Sequence, residues 1–585
     1  MSWSGHSTRR AWLGGAVGLG LAGCRRWSAE TSLPTSGAHL RPEVEGGWVG
    51  AHMDRGHAWR DGLGKPSSTT PDQTRRVHTL IVGAGVAGLS AARGLQQAGI
   101  DDFAVLDLED EVGGNARGHS IHGLPCPLGA HYLPVPGRAA VEVAQWLEEI
   151  GVIRQVQGRW QGDERHLCHS LQERLFVPDA RQDYPPGVQA GHWQEGILPM
   201  PAAASPDAAK TQAQYQRFSV EVANAARQWP FAMPTAHAPW HPGLDALDRQ
   251  TFAQWLDAHG LDAAALRWYL DYACRDDYGA GIHQVSAWAG LQYFASRHGF
   301  DAPGTGRDPH DAVLTWPQGN AWLTQRLAQG LGERWQAGQM ATRVQPGRHD
   351  VQVDALDTRS GQRVRWVAAK VVLAVPLFIA ARLIDPVPPA LKALAPLLRY
   401  APWLVSNLWL NEPLQDRPGA PMAWDNVRQA MGAPGPGGTE VQPEPALGYV
   451  NARHQSLAPT PGPMLLTHYW ALGGQSAAAL ANHRQRLARQ PWQIWAQNVL
   501  NDLSPVHPDL PGKLGRIDLM RWGHAMVIPT PGLRGHPALA ALAQPQGLLH
   551  FAHSDLSAYS VFEEAFTRGA LAAQAIGGTK KNRPA

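Results

Sequence analysis

At 585 residues the chain exceeds what one simple hydrophobic core organises, so two or more interlocked domains are expected. Hydrophobic residues at 44% and charged residues at 17% exclude a disordered chain, and 51 Lys and Arg against 49 Asp and Glu leave no basic stripe for a nucleic-acid partner. Trp, at 24 residues, is unusually frequent, which supplies either stacking surfaces for a ring compound or core filling.

In chain order, Thr8-Arg9-Arg10-Ala11-Trp12-Leu13 precedes a short, Gly-rich apolar run from Gly14 to Gly23. Paired Arg, an aromatic residue, Leu and then a run too short to span a bilayer resemble a bacterial twin-arginine export signal. Leu21-Ala22-Gly23-Cys24 reads as a lipobox, so the mature chain is expected in the periplasm with a lipid on Cys24 as membrane anchor. Residues 25–75, rich in Gly, Ser, Thr and Pro, read as a flexible tether. The cysteines (Cys24, Cys126, Cys168 and Cys274) form no CxxC pair and have no His cluster at ligand spacing, so no metal site is expected and no disulfide is required.

The next apolar segment, His78-Thr79-Leu80-Ile81-Val82, predicts a strand. It enters Gly83-Ala84-Gly85-Val86-Ala87-Gly88 and then a helical stretch, Leu89 to Ala98, closed by Gly99. A second strand, Phe103 to Leu106, ends in Asp107. Strand, GxGxxG, helix, strand and acid in this order form a dinucleotide-binding unit. Gly83 allows the tight turn, Gly85 lets backbone approach the pyrophosphate, and Gly88 lets helix and strand pack closely. The amides at Val86 and Ala87 open the helix and face the diphosphate. Asp107 is expected to accept from the ribose hydroxyls, with Glu109 as the alternative acceptor.

Glu111-Val112-Gly113-Gly114-Asn115-Ala116-Arg117 follows directly, and with it the chain resembles the flavin amine oxidase superfamily. The resemblance implies FAD, bound noncovalently because no Cys stands near the C-terminal segments. It implies that Gly113 and Gly114 expose amides to the diphosphate and that Arg117 neutralises part of its charge. Leu128-Gly129-Ala130-His131 resembles the stretch beside the isoalloxazine ring. Ala369 to Pro376 resembles a buried strand ending in Val-Pro, and the hairpin containing Arg343-Val344 and Val351 to Val353 resembles the strand whose backbone meets the adenine. His550 to Asp555, leading into a helix from Phe562 to Ala575, resembles the segment that closes the site, with Asp555 on the ribityl chain.

The implied fold is α/β: a Rossmann-like FAD-binding domain of the GR2 type with an interleaved α+β substrate domain. The expected FAD-binding parts are 76–139, 336–397 and 521–585; the substrate parts are 140–335, which includes an apolar helical run from Phe252 to Leu270, and 398–520. Arg417 to Pro445, rich in Pro and Gly, reads as a surface excursion.

The implied chemistry is oxidation of a C–N bond of an amine or polyamine by hydride transfer to flavin N5. Trp522 and, across from it, the loop Trp316 to Asn320 resemble segments packed on the flavin. Asp276 and Asp277, beside Tyr278, are candidate acids for capturing a cation and taking its proton, and His131, His553 and Tyr559 are candidate pocket residues. The Lys that assists oxygen in many amine oxidases falls at Val405 here, which implies an electron acceptor other than oxygen. Two other functions share these flavin segments: a desaturase or isomerase of C–C bonds, and an exported flavoprotein without turnover.

Overall fold

The computed structural model describes residues 39–63, 71–179, 184, 187–201, 205–297, 299–303, 312–429, 445–456 and 462–578. The Arg9-Arg10 pair and Cys24 lie outside the described residues.

The first of two large sheets has seven strands, gathered from three distant parts of the chain. Its central strand, Arg363–Leu373, pairs in parallel with Gln73–Val82 on one side. On the other side it pairs antiparallel with Val351–Asp357 and then in parallel with Leu549–Phe551. Such a strand is buried on both faces, which explains its continuous apolar run Val371-Val372-Leu373, all fully buried. The helix after the glycine loop, Val86–Gln97, packs against the C-terminal helix, Phe562–Gly577. Small residues set that approach: a Cβ on Gly569 would lie 2.1 Å from the Ala87 carbonyl oxygen, and one on Gly94 would lie 2.6 Å from the Ala573 Cβ. Ser90 Oγ donates to the Phe566 carbonyl at 2.7 Å across the same seam.

The second sheet has eight strands, with Tyr400–Leu410 between Leu514–Val527 and Met464–Ala471. Side chains alternate across it. Ala401, Trp403, Val405, Tyr469 and Met520 join a core with the helices Ala264–Tyr278 and Ala287–Ala295, while Leu404, Leu408, Leu466 and Trp470 join another with the helix Trp492–Leu503. The strand Leu514–Val527 runs unbroken through the boundary expected at residue 520.

Several sequence expectations need correction. The middle of the expected tether is folded: Glu45–Trp48 pairs in parallel with Arg516–Leu519, and a helix follows at Met53–Ala58. Glycine there serves close approach rather than flexibility, since a Cβ on Gly46 would sit 2.0 Å from the Ile517 carbonyl oxygen. The run from Phe252 to Leu270 is two helices, Phe252–Ala258 and Ala264–Tyr278, because Gly260 takes φ 59° and the Leu261 amide turns back to the Leu256 carbonyl. In the expected surface excursion, Asp425–Arg428 is a sheet strand between Gly448–Asn451 and Glu173–Pro178, while residues 430–444 lie outside the described residues. Among the described residues, no helix is long and apolar enough to cross a membrane, and no group of His, Cys, Asp or Glu could hold a metal ion.

Candidate active site

A cavity of about 790 Å³ opens between the two sheets, within the roughly 300–1,000 Å³ usual for ligand sites. Gly83, Gly85, Val86, Ala87, Gly113 and Gly114 form one wall. The two glycine turns lie against each other, with the Gly113 amide donating to the Ala84 carbonyl at 2.8 Å. A Cβ on Gly83 would come within 2.4 Å of the Ala374 carbonyl oxygen, and one on Gly88 within 1.8 Å of the Gly83 carbonyl oxygen. Gly88 therefore shapes the loop from behind, while the others present bare backbone to the cavity.

Asp107 lines the cavity and also ties down that loop. Its Oδ2 accepts from the Ala84 amide at 2.7 Å and its Oδ1 from the Glu109 amide at 2.8 Å. Burial raises its pKa even against those two donors. Glu109 also reaches the cavity, so both acids stand at the end of the second strand. Arg117, 5% exposed, stands behind the doublet; its Nη1 is 3.3 Å from Glu109 Oε2, its guanidinium carbon lies 5.4 Å from the Trp522 ring centroid, and its Nε has no partner.

Trp522 forms the opposite wall and is pinned by its indole N–H, which donates to the Leu128 carbonyl at 2.7 Å. Gly129 lies beneath it, where a Cβ would fall 2.1 Å from the Asn115 carbonyl oxygen. Ala130 lines the cavity, and its carbonyl accepts from the Asn320 amide at 3.0 Å. The loop carrying Trp316 thus braces Ala130, whereas Trp316 itself is 6% exposed and stacks on Trp322 in the core. Val344 is fully buried, with its carbonyl taken by the Asp385 amide; Gln339, Met340 and Ala341 of the same strand reach the cavity instead.

Asp555 lies at the cavity's far end. Its Oδ2 accepts from the Tyr400 hydroxyl at 2.5 Å and the Leu377 amide at 2.9 Å. His553 Nδ1 is 3.1 Å from Oδ1 but accepts from the Asp555 amide at 3.2 Å, so that oxygen is left without a donor. Burial would raise the Asp555 pKa, yet its polar surroundings, the Tyr400 hydroxyl and the Leu377 amide among them, hold it below the usual carboxylate value. An unclaimed buried carboxylate oxygen at one end, backbone amides in the middle and acids at the other fit a long dinucleotide with hydroxyls and phosphates.

Behind the Ala130 and Trp522 wall lies a chamber of acids and rings. His131 stacks on Tyr469 with centroids 4.4 Å apart and lies 5.4 Å from Trp424, which meets Tyr132 edge-on at 5.9 Å. The Tyr469 hydroxyl donates to the Gly129 carbonyl at 3.0 Å, tying chamber to cavity. Asp276 and Asp425 are deep in the molecule yet retain some accessible surface. Burial, and then the Asp277 charge, pushes the Asp276 pKa up to about 7. Asp425 is raised well above its usual value by burial, then by Glu173 and Asp276. The phenols of Tyr132, Tyr272 and Tyr469 are raised by burial and also feel both Asp276 and Asp425. Burial lowers His131 to about 3, so its ring is neutral at physiological pH.

The structure separates the two adjacent acids. Asp277 Oδ2 lies 3.1 Å from Arg297 and accepts from the Tyr559 hydroxyl, so it is held in an ion pair. Sequence reading missed Glu173, Asp425, Tyr132, Trp424 and Tyr469. The available signal was Trp424-Asp425-Asn426, an aromatic and polar triplet inside a Pro- and Gly-rich stretch. Val405, 1% exposed, lies between Tyr469 and Met520 in the sheet, an apolar position with no ion to pair a lysine. Cys126, Cys168 and Cys274 are free thiols.

A family model described as flavin containing amine oxidoreductase matches residues 86–577. Polyamine oxidase 7 of Oryza sativa subsp. japonica is 35% identical over 60 residues, which is 10% of this chain and 13% of that protein. The chain thus spans only about an eighth of that relative in alignment. Among solved structures, a redesigned double mutant of putrescine oxidase superposes with a TM-score of 0.61 at 18% identity, covering 86% of this chain and 99% of the other. Cyclohexylamine oxidase from Brevibacterium oxydans IH-35A gives 0.59 at 17% identity, covering 86% and 98%. At these identities the likeness is one of fold.

Proposed function

Because the chain belongs to the flavin containing amine oxidoreductase family, we propose that it oxidises a C–N bond of an amine, of the polyamine class or similar, with FAD held noncovalently in the 790 Å³ cavity. The observation that carries this reading is the acid and aromatic chamber directly behind the Ala130 and Trp522 wall. A bound flavin supplies the hydride acceptor, and the protein supplies orientation and electrostatics.

An amine arrives as an ammonium ion and must lose a proton before a hydride can leave its alpha carbon. Ring faces of Tyr132, Trp424 and Tyr469 attract the cation, and their removal of water lowers its pKa. Asp276, with a pKa of about 7, draws the ammonium in as a carboxylate, and its Oδ takes the proton from nitrogen. Asp277 is held in place by Arg297 and Tyr559, and its charge serves to keep Asp276 basic. Neutral His131 packs as a wall and holds Tyr469 in place. Asp107 and Glu109, both lining the cavity at the end of the second strand, are the acceptors for the ribose hydroxyls. The apolar Val405 position supports an acceptor other than oxygen.

The test is anaerobic mixing with a panel of monoamines and diamines, followed by flavin absorbance. Bleaching by amines is expected; no bleaching by any of them rejects the reading. Rapid re-oxidation of the bleached enzyme in air rejects the part that rests on Val405. The Arg9-Arg10 pair and Cys24 support export and lipid attachment, to be checked by fractionation of cells carrying Cys24→Ser, which should lose membrane association.

A further inference from the structure

Residues 44–60 cross the cofactor cavity from one sheet to the other, and we infer that they form a strap that retains the dinucleotide at its adenine end. The inference rests on the reading that this cavity holds FAD. These residues precede the family match, which begins at residue 86.

The strap is anchored at both ends and in the middle. Its first anchor is the substrate-side sheet: Glu45–Trp48 pairs with Arg516–Leu519, and the Arg521 guanidinium lies 4.5 Å from the Trp48 ring centroid. At Gly50, with φ 87°, the chain turns over Met520 and Leu128; a Cβ there would fall 2.5 Å from the Met520 sulfur. The next anchor is the dinucleotide-side loop. The His52 amide and ring both reach Glu109, the ring nitrogen at 2.8 Å, and Arg55 donates to the Leu108 carbonyl and to Asp110 Oδ2, each at 2.8 Å. Finally Trp59 packs on the core of the first sheet, with its indole N–H 3.5 Å from the Thr342 carbonyl.

Between these anchors, His52, Gly56, His57 and Trp59 face the cavity opposite the glycine wall. In a dinucleotide unit the pyrophosphate lies at the glycine loop and the ribose at the acid ending the second strand, so the adenine must lie beyond Glu109. That is where Trp59, Met340 and Ala341 line the cavity together. Trp59 offers a broad apolar face to a flat ring, and the strap around it closes the exit. Cofactor entry and exit then require Met53 to Trp59 to lift from Leu108 to Asp110, with Gly50 as the turning point.

The experiment measures FAD release from purified holoprotein after dilution, read as the rise in free-flavin fluorescence, alongside thermal unfolding of the apoprotein. Trp59→Ala should release FAD roughly tenfold faster, the scale of a lost aromatic stack and its packing, and lower the holoprotein midpoint by more than the apoprotein's. Arg55→Gln, which keeps the apolar packing, should speed release by a smaller factor in the same direction. An unchanged release rate in both variants overturns the inference, as does equal destabilisation of apoprotein and holoprotein, the mark of a merely structural segment. Trypsin adds a second readout on the unaltered protein: cleavage after Arg55 and Arg60 should be fast in apoprotein and slowed by FAD, and equal cleavage overturns the inference. None of these readings depends on amine turnover, so they stand apart from the proposed chemistry.

Discussion

The cofactor cavity and the chamber behind it are built on opposite principles. The cavity is walled by backbone, with glycines at Gly83, Gly85, Gly113 and Gly114 removing side chains so that bare main chain borders it; the Gly113 amide, expected to face the diphosphate, is instead spent on the Ala84 carbonyl. The chamber is walled by side chains from five separate stretches: His131 and Tyr132, Glu173, Asp276, Trp424 and Asp425, and Tyr469. A backbone site tolerates almost no change in shape but reads little chemistry. A side-chain site can change what it recognises without moving the fold.

If that contrast is right, the largest effect comes from the backbone side. Gly88→Ala forces a Cβ into the Gly83 carbonyl, and bound flavin per protein should fall to about a tenth or less, read from the absorbance of purified material. Next comes Asp276→Asn, which should keep its flavin yet bleach roughly a hundredfold more slowly with amines, in line with losing one buried charge partner. Bleaching at the original rate would remove Asp276 from the chemistry. Tyr469→Leu, which takes away a ring face and the tie to Gly129, should weaken amine binding by about three- to thirtyfold with a smaller change in the limiting bleaching rate.

The smallest effect tests the sign of a titration. Burial raises the folded pKa of Asp276 to about 7, above the unfolded value near 3.8. The folded state thus binds the proton more tightly, and stability is present below the unfolded pKa and lost as pH rises toward 7. Asn mimics the protonated acid. Asp276→Asn should therefore exceed the natural protein in unfolding midpoint by a margin that grows as pH rises from 4 to 7 and reaches a few degrees at pH 8, while the rate of bleaching in the natural protein climbs through pH 7. A variant that is more stable at pH 8 and less active separates function from folding in one protein; a midpoint difference independent of pH would contradict the placement of Asp276.

The same contrast explains what could be read from the sequence. Glycine spacing is a local record of backbone approach, so the strand, the loop, the helix beginning at Val86 and the doublet at Gly113 were legible within some forty consecutive residues. That Arg363–Leu373, which pairs with both Gln73–Val82 and Leu549–Phe551, belongs with the glycine loop was legible only through order along the chain. The chamber was not, because Asp425 lies in a strand inside a Pro- and Gly-rich stretch whose composition outweighs four residues of strand. Asp277 looked equivalent to its neighbour until Arg297 and Tyr559 were seen to claim it. The segment around Gly46 was misread because glycine marks both loose chain and tight contact, and only the partner strand tells them apart.

The central strand Arg363–Leu373 accepts Leu549–Phe551 at its edge, and the helix ending at Gly577 lies on the glycine-loop helix. A polypeptide that stops short of residue 549 therefore has an incomplete nucleotide cradle. Flavin loading should wait for these two elements to be made, and a stop placed before them would abolish colour as completely as one near the glycine loop.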